Sequence, residues 1–336
     1  MLCAYPIITK NTGPDTPVAC GQCLPCTINK RRTWTHRMML EMQTSKTASF
    51  LTLTYDDENL PEGHHDPKTG ELYAINSLNP AHTKKFIDNL RTQYRRLTGN
   101  TIRYYLCGEY GEQTGRPHYH LALFGYPPCI GNGAKVINKK FIPCNCPNCS
   151  LLSKIWKKGN IFLGNLEQKS AQYVAKYVTK KLTTTNCRCK GETHHPSCPN
   201  VQLKGRYPEY SRQSRNRGIG YDAAVKFGKK IAKFVKSDAD IPPYLIHNGK
   251  KWPLGRYLHE NIRAQTDLPP YEEGEKVKIY KENLLSLFKD KKPVDLSEKM
   301  VNAGLPDVAL RMINAQRNLQ MEKQQSQIQL NSKKEI

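Results

Sequence analysis

No run of apolar residues in this 336-residue chain approaches the ~20 needed to span a bilayer. The opening Met1-Leu2-Cys3-Ala4-Tyr5-Pro6 has neither the basic segment nor the apolar stretch of a secretory leader. A cytoplasmic protein without a membrane partner is therefore expected. Acidic residues are also scarce, 29 Asp and Glu against 52 Lys and Arg, which leaves a formal charge of +23. Such an excess concerns partners, since it favours polyanions, nucleic acid first among them, and decides nothing about fold. No internal repeat is present, which excludes solenoids and propellers.

The chain also lacks a clean pair of C-x-x-C motifs, although it has 12 cysteines. Cys20, Cys23 and Cys26 are too close together for a comfortable disulfide framework, and so are Cys144, Cys146 and Cys149. Without an export signal, reduced thiols that bind metal or stay inert are expected. Structural zinc needs four ligands, and three sets compete for it. Cys20, Cys23 and Cys26 have Cys3 as a distant fourth. Cys144, Cys146 and Cys149 have Cys129, and Cys187, Cys189 and Cys198 have His194 or His195.

Hydrophobic spacing suggests a basic helix from about Leu24 to Met42, then a strand at Phe50–Tyr55 that turns at Asp56-Asp57-Glu58-Asn59. Asn79-Pro80 opens a second helix with Phe86, Leu90, Tyr94 and Leu97 on one face. A hairpin follows, with arms Ile102–Glu109 and His118–Phe124 around a polar turn from Gly111 to Arg116. A cysteine-containing loop covers 126–149. A short helix at Leu151–Lys158, a strand at Ile161–Leu166 and a helix at Gln168–Leu182 complete the pattern. Residues 183–220 read as loop-rich, 222–236 as a short basic helix, and the stretch between Pro242-Pro243 and Pro269-Pro270 as having little regular structure. The expected fold is α+β, an antiparallel sheet with helices on one face. The expected segments are a Cys-rich start and basic helix (1–45), a catalytic domain (46–185), a basic Cys/His- and Pro-containing region (186–271), and a charged helical or disordered tail (272–336).

In Pro117-His118-Tyr119-His120-Leu121 the two imidazoles are two apart, so a strand presents both on one face and Tyr119 on the other. They can share one divalent cation, or simply face solvent. Glu109 on the partner arm, with Glu112 in reserve, would add a carboxylate, and that donor set suits magnesium or manganese better than zinc. Further on, Ala171, Val174, Ala175, Val178 and Leu182 trace an apolar stripe along a helix. Tyr173 and Tyr177, four apart, lie beside the stripe, with Lys176, Lys180 and Lys181 close by. A phenol with pKa ~10 becomes a nucleophile more readily beside ammonium groups. Two tyrosines packed at a helix margin have the same spacing. Lys176, Lys181 and Arg116, with the non-core face of β-residues Thr52 and Thr54, are the expected DNA contacts. Tyr104, Tyr105 and Tyr119 suit either base stacking or sheet packing.

The strand Phe50–Tyr55, the His118-Tyr119-His120 triplet and Tyr173-x-x-x-Tyr177 resemble, in order, the three motifs of HUH-type rolling-circle replication initiators. The wording is most similar to initiators of the microvirus (gokushovirus-like) single-stranded DNA phages. Cys20-Gly21-Gln22-Cys23-x-x-Cys26, Lys30-Arg31-Arg32 with Trp34, and Tyr55-Asp56-Asp57-Glu58-Asn59-Leu60-Pro61 add to that resemblance. It covers roughly residues 18–182 and, faintly, 248–255. It implies an HUH endonuclease fold with His118, His120 and Glu109 on magnesium or manganese, and nicking and joining of single-stranded or origin DNA. Tyr173 and Tyr177 would alternate as nucleophiles through a 5′-phosphotyrosine, with Lys180 in support. It also implies a bacterial host cytoplasm with the host helicase and polymerase as partners. The alternatives are an HUH transposase and a non-catalytic, zinc-stapled protein that binds single-stranded nucleic acid.

Overall fold

The computed structural model describes residues 24–176, 206–233 and 241–268, with short interruptions at 66–69, 71, 112–113, 138–139, 243, 248 and 267, together with Ala19 and Gly21. In chain order the elements are α1 (Leu24–Thr44), β1 (Ala48–Thr54), β2 (His64–His65), β3 (Leu72–Tyr73), α2 (Pro80–Thr98), β4 (Arg103–Tyr110), β5 (Pro117–Phe124), β6 (Lys135–Ile137), β7 (Lys140–Ile142) and α3 (Pro147–Trp156). They continue with β8 (Ile161–Asn165), α4 (Gln168–Lys176), β9 (Tyr210–Gln213), α5 (Tyr221–Ile231), β10 (Tyr244–His247), β11 (Lys250–Pro253) and α6 (Gly255–Arg263). The chain divides into two units, Arg31–Leu268 and Met1–Lys30 with Pro269–Ile336. The sheet and the residues around it belong to the first.

Five strands form one sheet in the order β8-β1-β5-β4-β9, and every neighbouring pair is antiparallel. Period-two alternation gives the sheet two faces. On one, Leu51, Leu53, Leu106, Tyr119, Leu121 and Leu123 meet Phe86, Ile87 and Leu90 of α2 and Leu152 and Trp156 of α3. Each such apolar side chain contributes roughly 1.5–3 kcal/mol when fully buried. On the other face Tyr105, Cys107, Ala122 and Phe124 meet Met38 of α1 and Ala171, Val174 and Ala175 of α4. The α+β class and the antiparallel hairpin match the sequence expectation, but helices cover both faces instead of one. The small residues of α4 are what let a second helix layer approach closely.

Asn79 caps α2 as its sequence suggests. Its side chain accepts from the N–H groups of Ala81 at 3.0 Å and His82 at 3.4 Å, and Gly99 closes the helix in the left-handed region at φ 71°. Leu97, expected on the core face, is 70% exposed. Helix α3 starts four residues earlier than expected, at Pro147, so Cys149 lies on a helix and not in a loop. The preceding loop contains the β6–β7 ribbon.

Two further departures lie downstream. Strand β9, from the stretch read as loop-rich, pairs with β4 as an edge strand. Residues 244–263, read as irregular, form the β10–β11 hairpin and α6. Register pairs His247 with Lys250, so only two residues link the strands, and Asn-Gly is a sequence suited to so tight a connection. Leu254, Leu258 and Ile262 then pack with Leu40 of α1 and Ala223 and Ala224 of α5 in a third cluster. The expected helix beyond Lys176 and the 272–336 tail lie outside the described residues.

Candidate active site

Register sets the site. Glu109 of β4 lies opposite His118 of β5, Cys107 opposite His120, and Thr52 and Thr54 of β1 lie opposite His120 and His118. The two histidines, Glu109 and both threonines therefore share one face, as the alternation requires. Glu109 and His120 are each 6% exposed. The contact is diagonal: Glu109 Oε1 lies 2.8 Å from His120 Nε2. The other ring nitrogen, Nδ1, lies 2.9 Å from Thr52 Oγ1. His118 is fixed from its own chain, since Nδ1–H donates to the Arg116 carbonyl at 2.7 Å. That bond leaves Nε2 of His118 with the lone pair. Burial holds the His118 imidazole below its ordinary range, against the pull of the Arg116 carbonyl. The neutral ring is the form that binds a cation.

Two oriented imidazoles and a carboxylate, each imidazole with a partner on its remote nitrogen, are a donor set that fits a hard divalent cation with open positions. Nε2 of His120 cannot donate to Glu109 and bind a cation at the same time, so loading exchanges a proton for metal. Among the described residues only a four-cysteine group brings three or more metal-binding atoms within 4.8 Å of one another. Glu109, His118 and His120 thus share a face without their ligand atoms converged. Cys107, beside them, is inert, because burial and then the nearby Glu109 push its thiol well above the ordinary range.

Helix α4 supplies the phenol. Ala171, Val174 and Ala175 are fully buried and Tyr173, on the margin, is 41% exposed. The Tyr173 ring meets the His120 ring edge-on, with centroids 5.1 Å apart at 86°. It meets Phe50 at 6.1 Å and 82°, and Phe50 stacks parallel to His120 at 5.8 Å. Lys176 ends α4. Tyr177, Lys180 and Lys181 lie outside the described residues, as does the reserve ligand Glu112.

The residues read as DNA contacts have partners within the chain. Arg116 pairs with Asp57 Oδ1 at 2.5 Å and donates to the Tyr55 carbonyl at 3.0 Å. Thr54 Oγ1 donates to the Asn160 carbonyl at 3.3 Å. Thr52 serves His120. Tyr105 and Tyr119 are fully buried, so of their two readings sheet packing holds, and Tyr104 lies under the Arg91 guanidinium at 5.1 Å. Sequence reasoning missed Phe50 and Phe162, which share the face of Thr52. The signal was their spacing from it: Phe50 is two residues before Thr52 in β1, and Phe162 is its cross-strand partner in β8. The end of β1 is held from the opposite face. Trp156 Nε1 donates to the Thr54 carbonyl at 2.9 Å. The α3–β8 turn comes so close that a Cβ on Gly159, at φ +136°, would sit 2.5 Å from that carbonyl oxygen.

Of the candidate zinc ligands, Cys144, Cys146 and Cys149 come together with Cys129. Cys26 is a buried free thiol on α1, whereas Cys20, Cys23, Cys187, Cys189 and Cys198 lie outside the described residues. No described helix is long and apolar enough to cross a membrane.

Comparison with known proteins agrees with the motifs. The family model for replication-associated protein ORF2 matches residues 48–182, the span from β1 through the two tyrosines. Replication-associated protein VP4 of Bdellovibrio phage phiMH2K is 27% identical over 84% of this chain and 79% of its own length. Replication-associated protein ORF2 of Spiroplasma virus 4 is 33% identical over 71% of this chain and 68% of its own length. Replication-associated protein ORF4 of Chlamydia phage 1 is 26% identical, over 74% and 54%. No solved structure matches the chain. The chain belongs to the family of phage replication-associated proteins of the ORF2 type, microvirus-like rolling-circle initiators.

Proposed function

We propose that the chain is an HUH endonuclease that nicks and rejoins single-stranded DNA at a replication origin by tyrosine transesterification. One observation carries the reading: the Tyr173 ring lies against His120, whose Nε2 is hydrogen-bonded to Glu109. A prospective nucleophile and the prospective ligand set thus meet on one face. His118, His120 and Glu109 would hold Mg2+ or Mn2+, which when bound polarises the scissile phosphate. Thr52 and the Arg116 carbonyl orient the two imidazoles. The Tyr173 phenol loses its proton to solvent, helped by the lysine-rich continuation Lys176, Lys180 and Lys181. Its Oη then attacks phosphorus in line. The Oη–P bond forms, the P–O3′ bond breaks, and the leaving oxygen takes up a proton as a free 3′-hydroxyl, leaving a 5′-phosphotyrosine.

A host polymerase extends that 3′-hydroxyl, with a host helicase opening the duplex. After one round Tyr177 attacks the regenerated origin, and the released 3′-hydroxyl displaces the first tyrosine to close the circle. Two phenols allow the site to alternate without dissociating. The charge of +23 supports a polyanionic substrate with salt-dependent affinity, and the host cytoplasm is the setting where such a substrate and those partners meet. Incubation with Mn2+ and origin oligonucleotides, followed by a denaturing gel, tests the reading. A covalent adduct lost in Tyr173→Phe/Tyr177→Phe is expected. Strand binding with no adduct from any origin candidate would overturn it, leaving a non-catalytic binding protein.

A further inference from the structure

Residues 125–146 leave the sheet between β5 and α3, and the β6–β7 ribbon turns this excursion back on itself. Its ends meet as a cluster of sulfurs. Cys129 Sγ lies 3.5 Å from Cys144 Sγ and 3.8 Å from Cys146 Sγ. With Cys149, all four sulfurs lie within 4.8 Å of one another. All four cysteines are free, and a disulfide would need ~2.05 Å. Thiolates at ~2.3 Å from a tetrahedral zinc stand roughly 3.8 Å apart, which these separations match.

The backbone favours thiolates here. Cys129 accepts from the N–H groups of Gly131 and Gly133, against the effect of burial. Cys146 is the N-cap of α3 with Pro147 behind it. Burial raises its thiol, but N–H donors from Cys149 and Ile130 and the neighbouring thiols bring it down to about 6. The helix terminus adds its positive end. Gly131 is required by proximity, since a Cβ there would sit 2.7 Å from Cys144 Sγ. Asn148 seals the loop, donating from Nδ2 to the Pro128 carbonyl at 2.7 Å while its own carbonyl accepts from Tyr126 Oη at 2.6 Å.

We propose that Cys129, Cys144, Cys146 and Cys149 bind one structural Zn2+ that fastens the 125–146 excursion to the start of α3. Thiolates select zinc, whereas the imidazole and carboxylate donors of the candidate active site suit harder cations, so the two sites take different metals. Binding forms four Zn–S bonds and releases the thiol protons to solvent, with no change of oxidation state. Because α3 holds the end of β1 through Trp156, the zinc also supports the strand that carries Thr52. The zinc site does not depend on the nicking chemistry.

The test uses the full chain, purified without added metal. Zinc content is measured by mass spectrometry in the parent and in Cys129→Ser/Cys144→Ser. Alkylation of individual cysteines is mapped before and after a strong chelator. The double variant is expected to carry one equivalent less zinc than the parent, whatever the remaining cysteines hold. Cys129, Cys144 and Cys146, which are only partly buried, are expected to resist alkylation until the chelator is added. The proposal is overturned if the parent holds no zinc, if the variant keeps the parent's content, or if those cysteines react equally in both states. Should the variant not fold, the alkylation map of the parent decides alone.

Discussion

Thr52→Val removes one hydroxyl and leaves the side-chain shape nearly unchanged. That hydroxyl lies 2.9 Å from His120 Nδ1, on a residue 6% exposed. In the cation-binding tautomer Nδ1 bears the proton, and valine leaves that donor unsatisfied in a nearly dry site, at a cost of about 1–3 kcal/mol. Loss of a partner that orients a metal-binding imidazole typically lowers metal affinity roughly 10- to 100-fold, or about 1.4–2.7 kcal/mol. The two estimates agree, so the expected result is a rise of that size in the Mn2+ concentration for half-maximal nicking. At saturating Mn2+ the rate should return towards the parent value, because Thr52 touches neither phosphate nor phenol in this account. Thr52→Ser, which keeps the hydroxyl, should restore metal affinity. Isothermal titration with Mn2+ alone gives the same quantity without DNA. If half-saturation is unchanged in Thr52→Val, or if excess Mn2+ fails to restore the rate, the positioning argument is wrong.

Tyr173→Phe keeps the ring contacts with His120 and Phe50, so its melting temperature should match the parent. A circle-release assay should nonetheless lose the joined product, since one nucleophile cannot alternate; undiminished joining would remove Tyr173 from the mechanism. Phe162, 45% exposed and in register with Thr52, is placed to stack on a base beside the site. Phe162→Ala should weaken single-strand binding by about 1–3 kcal/mol with little change in salt dependence, and equal affinity by fluorescence anisotropy would exclude it. His36 is fully buried, with Nε2 3.0 Å from His247 Nε2 and Nδ1 2.8 Å from the Pro253 carbonyl. Burial lowers its pKa from 6.5 to about 4. The unfolded chain therefore takes up a proton that the folded chain refuses as pH falls from 6.5 towards 4, at a cost of up to roughly 3 kcal/mol. Urea midpoints should fall across that window more steeply in the parent than in His36→Asn, and parallel profiles would refute the assignment.

The parts of the site legible in sequence are those whose geometry follows from chain periodicity. His118 and His120 had to share a face once Pro117–Phe124 was a strand, and Asn79-Pro80 had to open a helix. Glu109 was legible as a candidate, but its contact was not. Register sets it opposite His118, yet its carboxylate reaches diagonally to His120, a choice made by side-chain rotation across the hairpin. Strand β9 was illegible for a different reason. Tyr210-Ser211-Arg212-Gln213 is polar because it is an edge strand, and edges resist unwanted pairing with charge, so it carries no alternating apolar signal. The β10–β11 hairpin was legible and was passed over, since Asn-Gly between two four-residue arms is a strong turn signal that the surrounding prolines obscured. The zinc set was illegible because Cys129 and Cys144 are joined only by the fold-back of β6 and β7.

One arrangement accounts for the position of Tyr173 without any appeal to function. Strand β8 lies at the opposite edge of the sheet from β9, and α4 must turn back from it across the face that holds His120. The helix can approach only because Ala171, Val174 and Ala175 are small enough to lie against Ala122 and Phe124. A residue two positions from Ala171 or Ala175 then falls on the margin of the helix, towards the open end of the sheet, where β5 presents its histidines. The same alternation that sends Leu121 and Leu123 into the α2–α3 core leaves Ala122 as the floor under α4 and His120 just beyond it. Core packing and site assembly are thus one set of constraints. A bulky substitution such as Ala175→Leu should cost about 1–3 kcal/mol in stability through overpacking and should also lift Tyr173 from His120. A variant that lost stability but kept full adduct formation would show that the ring contact is incidental to catalysis.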